Sequence, residues 1–344
     1  MRIRDLYNQI FIRLIGDELK RKHVAVALYN LQAVINYLLF RKQRYFDPFG
    51  FASGKPKNIF LCKEHYRANS FYGIAPSLKK YANYKGKICA CIEHGLYLGD
   101  YANPREVLSS GLPSVITFSQ MRVERIRKYS DVPVIPIGPY IQYVESYYTE
   151  KEEQIIKQNF GKTLLVFPEH SSIEASVEFG REDFFKKVEK IKDRDRFKTV
   201  IVNLYYRDFD RNFINECEKR GYLFACAGHQ NDPLFLSRLK SIINISDYTI
   251  SMSVGTQVGY CISLKKPHAI LGKSNLTYKI DDNANYERDN DRIFIEKTFS
   301  ENGGKITSEQ IEVCNYYWGL NIKYSDIEMK SIFSNCEKLF DENH

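Results

Sequence analysis

Three turns of this sequence carry the side chains best suited to moving a proton or holding a phosphate. The first, EHGLYLGD (residues 93–100), offers His94, an imidazole able to act as a general base near neutral pH. Gly95 beside it allows close approach of a substrate, and Glu93 or Asp100 can orient the ring or hold a sugar hydroxyl. The second, FPEHSS (167–172), sets His170 before the hydroxyls of Ser171 and Ser172, adjacent hydrogen-bonding groups that suit a phosphate or a sugar. The third, SDYTISMSVGTQVGY (246–260), runs a strand into Ser251, Ser253, Gly255 and Thr256 and then into a helix. A helix N-terminus presents free N–H groups and the positive end of the helix dipole, worth roughly 0.3–1 kcal/mol per exposed charge.

Two weaker positions extend the set. His229, after the apolar run YLFACA, can line the same cleft, and Arg122 and Arg125, after SVITFSQ, can meet an anionic acceptor. No G-x-G-x-x-G, Walker A or G-x-S-x-G pattern occurs, so dinucleotide, P-loop and serine-hydrolase readings lack support.

For such turns to meet, each must stand at the carboxyl end of a strand in a parallel sheet, where open α/β folds bind ligands. Short apolar runs rich in β-branched residues supply those strands. They are NIFLC (58–62), KICACI (87–92), SVITF (114–118) and PVIPIG (133–138) in the first half. KTLLVFP (162–168), KTVIVNLYY (198–206), YLFACAG (222–228), YTISMS (248–253) and HAILG (268–272) follow in the second. Helix-like stretches such as 104–111, 121–130, 181–193 and 232–244 alternate with them. That alternation predicts an α/β fold of two Rossmann-like domains facing a central cleft, with helical extensions at both ends.

The expected division is a basic helical segment at 1–55, a first domain at 56–150, a second at 151–305 and C-terminal helices at 306–344. The break falls in the charged stretch TEKEEQIIKQNFGK (149–162). Thr307–Gln310 and Ser325–Glu328 fit capping boxes that open two tail helices, with Ile327, Phe333, Cys336, Leu339 and Phe340 at helical spacing. Residues 273–298 are polar and without period, and read as a loop.

With 44% hydrophobic residues, the 344-residue chain can bury a large core, which excludes wholesale disorder. Its eight cysteines form no C-x-x-C pair and lie mostly in apolar runs, so buried thiols fit better than a disulfide framework or structural zinc. No signal-peptide pattern stands at the N-terminus, and the expected location is cytoplasmic.

The net charge of +8 is uneven: residues 1–45 hold nine Lys/Arg against three acids, and the rest is nearly balanced. A body without a basic stripe argues against nucleic acid, whereas the basic segment suits an anionic membrane surface. The 17 uncharged residues between His23 and Arg41 are short for a bilayer span and contain Asn30, Gln32 and Asn36. They read as a helix packed on the first domain, with an interfacial helix as the alternative.

The turns EHGLYLGD and FPEHSS and the segment RLKSIINISDYTISMSVGTQVGYCISLKKPHAIL (238–271) together resemble bacterial glycosyltransferases of the GT-B architecture, the kind that build capsule and O-antigen. The resemblance covers roughly residues 58–272. It implies a nucleotide-sugar donor at Ser251, Ser253, Gly255 and Thr256, with His170, Ser171, Ser172 and His229 on the donor side. The acceptor, a glycan or lipid-linked glycan, then lies near Gly95, Asp100 and Arg122.

The resemblance also gives His94 the role of base, with Glu93 or Asp100 as substitutes. GT-B enzymes generally need no bound metal and no cofactor beyond the nucleotide-sugar. E-x-x-x-x-x-x-E spacings, the pattern of many retaining members, occur at Glu145–Glu152 and Glu182–Glu189 but not within the motifs that carry the resemblance, and inversion is the expected outcome. A CDP-polyol phosphotransferase and a sugar-nucleotide epimerase are the rival readings.

Overall fold

The computed structural model describes residues 15–40, 48–49, 60–100, 102–103, 107, 110–168, 175–178, 180–207, 210–272, 277–280, 290–301 and 303–343. Ten strands follow in chain order: β1 (Cys91–Ile92), β2 (Val115–Thr117), β3 (Val134–Pro136), β4 (Thr163–Phe167), β5 (Ala175–Glu178), β6 (Thr199–Asn203), β7 (Leu223–Ala225), β8 (Tyr248–Ser251), β9 (His268–Ile270) and β10 (Thr277–Ile280). The helices of the first half are α1 (Glu18–Phe40), α2 (Ile74–Tyr81), α3 (Gln120–Ile126) and α4 (Glu150–Phe160). Then come α5 (Arg181–Arg194), α6 (Arg211–Lys219), α7 (Phe235–Ile245), α8 (Thr256–Ser263), α9 (Asn290–Thr298), α10 (Ser308–Trp318) and α11 (Asp326–Asn343).

Two parallel sheets result. The first has the order β1-β2-β3, with Cys91 opposite Val115 and Val115 opposite Val134. The second has five strands in the order β7-β6-β4-β8-β9. Every residue of β4 and β8 is buried, as expected of strands covered on both faces. The chain enters this sheet at its centre, builds outward through β6 and β7, then crosses back to add β8 and β9. The order therefore reverses between β4 and β8, and an α/β sheet opens its ligand crevice beyond the carboxyl ends of the strands at such a point.

The first sheet holds three strands where four were expected, and hydrogen bonding explains the loss. Residues 60–62 are not a strand: Phe60 O accepts from the Tyr29 hydroxyl, and Cys62 exchanges both backbone bonds with the Asn30 amide. Helix α1 thus takes the place of a sheet neighbour. KICACI contributes only β1, because the fully buried Asn69 side chain donates to Ala90 O and accepts from Ile92 N, closing the sheet edge.

Stretch 273–298 also departs from the expected loop. Its described parts are β10, paired antiparallel with β5, and helix α9, whose Ile295 is buried. Both tail capping boxes are present. Phe333 and Cys336 of α11 face inward while Ile327 is exposed. All eight cysteine side chains are buried.

One apolar cluster runs without interruption from the first sheet (Ile88, Ile92, Ile116, Phe118) to the second (Leu165, Phe167, Ile201) and on to Trp318 and Phe333 of the tail. Its tightest contact joins α8 to α10. A Cβ added to Gly259 would lie 2.2 Å from the ring of Trp318, whose indole is fully buried. Gly259→Ala gains about 1 kcal/mol of helix propensity but forces an overpacking cost of about 1–3 kcal/mol. Net destabilisation is expected in urea denaturation; a more stable variant would show that the two helices can separate freely.

Candidate functional site

The His94 turn and the serine/threonine/glycine turn lie against each other. Leu96 N donates to Thr256 Oγ1 at 3.1 Å, and a Cβ on Gly95 would stand 3.6 Å from the same oxygen. These two segments leave the carboxyl ends of β1 and β8, in different sheets and 160 residues apart. By accepting from Leu96, Thr256 keeps its own hydroxyl proton to donate. It is the first residue of α8, whose N-cap Gly255 supplies no side-chain cap. The first N–H groups of that helix therefore receive no side-chain cap from Gly255.

The His94 turn is anchored at its far end too. Gly99, in the left-handed region at φ +69°, donates its N–H to Asp291 at 2.8 Å. Asp291 also accepts from the Tyr317 hydroxyl at 2.8 Å and pairs with Arg125 at 2.7 Å. Burial alone would raise its carboxyl pKa, but the bonds from Arg125, Tyr317 and Gly99 hold it below the usual range. Arg125 is thereby a brace for the turn.

Aromatic rings enclose His94. Phe71 and Tyr97 meet it edge-on with centroids at 5.5 and 6.2 Å, and Tyr72 lies at 6.1 Å. Tyr72 adopts φ +57°, a left-handed conformation uncommon for a non-glycine residue and strained. That conformation is fixed by its N–H, which donates to Gln230 O at 2.5 Å, and by its ring against Phe235 at 5.0 Å. The Tyr72 hydroxyl meets that of Tyr205 at 3.3 Å, just past β6. One wall of the crevice thus links the first sheet to the ends of β6 and β7.

His229 stands after β7, packed on Tyr206 with centroids at 4.2 Å. Its Nδ1 accepts from Asn231 N at 3.1 Å, which puts the neutral ring's proton on Nε2 as a donor. Burial and the nearby Arg207 and Arg67 push its pKa down to about 4. His229 is therefore uncharged at neutral pH, and the guanidiniums supply the positive charge. Arg207 bonds the Tyr206 hydroxyl at 2.6 Å, and Arg67 lies over the rings of Phe71 and Tyr29.

The sign of the linkage is definite. An unfolded histidine near pH 6.5 takes up a proton that the folded one refuses down to about 4, so stability falls as pH drops between those values. Relative to His229→Gln, the wild type is expected to lose about 2 kcal/mol between pH 7 and pH 5. Parallel denaturation curves at the two pH values check this, and equal losses would refute it.

Several expected site residues turn out to be structural. Glu93 and Arg122 are both fully buried and form a two-pronged ion pair at 2.6 and 3.1 Å, with Thr117 donating to the same carboxylate at 2.5 Å. Neither reaches solvent, so Glu93 does not serve as a base nor Arg122 as an acceptor contact. Together they hold the strand end from which His94 projects. Ser251 is also buried: its hydroxyl donates to Ser253 O at 2.8 Å and meets His268 Nε2 at 3.0 Å. Full burial pushes the His268 pKa down to about 3, so that pair is a neutral core network.

Asp100 lies exposed, paired with Lys128 at 3.0 Å. Ser253, Gly255 and Thr256 are half-buried at the crevice. His170, Ser171 and Ser172 lie outside the described residues.

Three contributors escaped sequence reasoning: Tyr72, Arg67 and Arg207. Arg207 follows a predicted strand end and was open to discovery by that rule. Arg67 lies in a 3-10 turn and Tyr72 at the kink that breaks that stretch (Arg67–Gly73), with no strand before it to signal them.

No protein-family model and no curated protein sequence matches the chain. Among solved structures, that of the E. coli ADP-heptose LPS heptosyltransferase II is similar over 85% of this chain and 98% of its own, at 8% identity and a TM-score of 0.29. A likeness that loose carries neither a fold assignment nor an activity.

Proposed function

We propose that this protein is a glycosyltransferase that moves a sugar from a nucleotide-sugar to a hydroxyl of a glycan or lipid-linked acceptor, with inversion. The observation that supports the reading most is the bond from Leu96 N to Thr256 Oγ1, by which the turn carrying His94 touches the start of α8. The reversal of strand order between β4 and β8 supports the same location.

As the sugar leaves its nucleotide, negative charge grows on the departing phosphate. The N–H groups of α8, the Thr256 hydroxyl and backbone at Ser253 and Gly255 stabilise that charge where it forms. Arg67 and Arg207, with the Nε2–H of His229, extend the donor side. His94 takes the proton from the attacking hydroxyl on the opposite face of the sugar. Phe71, Tyr72 and Tyr97 shield that exchange from water, which suppresses wasteful donor hydrolysis. His170, Ser171 and Ser172, after β4, complete the proposed donor side.

The test is incubation with UDP-, GDP-, ADP- and CMP-sugars, with and without a glycan or polyprenyl-linked glycan acceptor, followed by mass analysis. Nucleotide release that depends on acceptor, with a glycosidic product, supports the reading. A phosphodiester product would make the protein a polyol phosphotransferase, and an isomerised sugar-nucleotide without acceptor an epimerase.

A further inference from the structure

Helix α1 is amphipathic in the wrong sense for a protein surrounded by water. Its polar side faces the protein: Asn30 exchanges two hydrogen bonds with Cys62, the Tyr29 hydroxyl donates to Phe60 O at 2.6 Å, and His23 meets His65 at 2.8 Å. Ala33, fully buried, sits on that same side. The apolar side points outward. Leu28, Leu31, Ile35 and Leu38, at helical spacing of three and four, form a stripe widened by Val34 and Leu39. Leu31 is 60% exposed, Leu38 71% and Leu39 68%. Scattered exposed leucines are ordinary, but a contiguous run along about three turns of one helix marks a surface meant to be covered.

We infer that this face docks on the surface of an anionic lipid bilayer. Charge complementarity selects that occupant. The stripe carries no charged residue from Val24 to Phe40; Lys20 precedes it at an exposed position, the neighbouring Arg21 and Lys22 pair with Glu18, and Arg41, Lys42 and Arg44 follow it in the sequence. Apolar side chains between basic ends are what an interfacial helix presents, the leucines entering the acyl boundary and the cations meeting headgroup phosphates. Tyr37, also exposed, adds the amphipathic ring favoured at that depth.

The helix lies on the surface and does not cross: among the described residues no helix is long and apolar enough to span a membrane. Docking has a geometric consequence for the crevice. Arg67 lies over both Tyr29, on the protein-facing side of the helix, and Phe71, which in turn touches His94, so three side chains link the helix to the proposed base.

Co-sedimentation of the full chain with vesicles tests this without reference to any catalytic activity. Binding is expected to vesicles of equal parts phosphatidylcholine and phosphatidylglycerol, roughly tenfold weaker to phosphatidylcholine alone, and weakened by salt. The double variant Leu31→Glu/Leu38→Glu, altered only at exposed positions, should melt like the wild type and partition roughly 100-fold less. A nitrobenzoxadiazole label on Leu31→Cys, selective because the native thiols are buried, should shift its emission to the blue on addition of anionic vesicles. Failure of the wild type to bind anionic vesicles, equal binding by the double variant, or an unshifted label would overturn the proposal. A dimer in gel filtration that the double variant dissociates, with no vesicle binding by either protein, would assign the face to a second copy of the chain.

Discussion

His94→Ala is expected to lower the rate of acceptor-dependent nucleotide release by roughly 10²–10⁴-fold, the range typical of losing a general base. Donor affinity should change little, because the proposed phosphate contacts belong to α8 and to Arg67 and Arg207. Single-turnover kinetics with saturating nucleotide-sugar, together with donor titration, separate the two effects. His94→Gln, which keeps the ring-lined cavity filled with a polar side chain, should be as slow as the alanine variant. Transfer within about threefold of wild type in either variant would remove His94 from the chemistry.

Arg122→Met is expected to cost about 3–5 kcal/mol of folding stability, the range for breaking one side of a buried ion pair. The guanidinium and the Glu93 carboxylate are both fully buried, so its removal takes both Arg122 hydrogen bonds from a buried negative charge. The double change Glu93→Gln/Arg122→Met should recover most of the loss, since removing both charges costs far less than leaving one. Urea denaturation of the three variants measures this. A single variant within about 1 kcal/mol of wild type would show that solvent reaches the pair. Because Glu93 precedes His94 directly, the pair holds the strand end that carries the proposed base, and the stable double variant is expected to retain transfer better than His94→Ala does.

Much of the second sheet was legible in the sequence because its strands are buried on both faces and read as unbroken apolar runs. KTLLVFP, KTVIVNLYY and YTISMS match β4, β6 and β8 to within a few residues. The first sheet was less legible for a local reason. Cys62 in the run NIFLC, and Ala90 and Ile92 in KICACI, satisfy backbone groups with the side chains of Asn30 and Asn69, and nothing in periodicity distinguishes such a partner from a neighbouring strand. Glu93 and Arg122 show the same limit at the site: charge and placement at a strand end mark both as candidates, whereas their mutual burial depends on residues 29 apart meeting in the core. Thr256 and His94, by contrast, were found by a rule that depends only on strand ends, and the structure places their turns in contact.

The most direct measurement is the thermal stability of the purified protein across a panel of UDP, GDP, ADP, CMP and CDP. One nucleotide, present at about 100 times its dissociation constant, is expected to stabilise the fold by about 2.7 kcal/mol. A flat response to the whole panel at millimolar concentration would contradict a phosphate cradle at the start of α8.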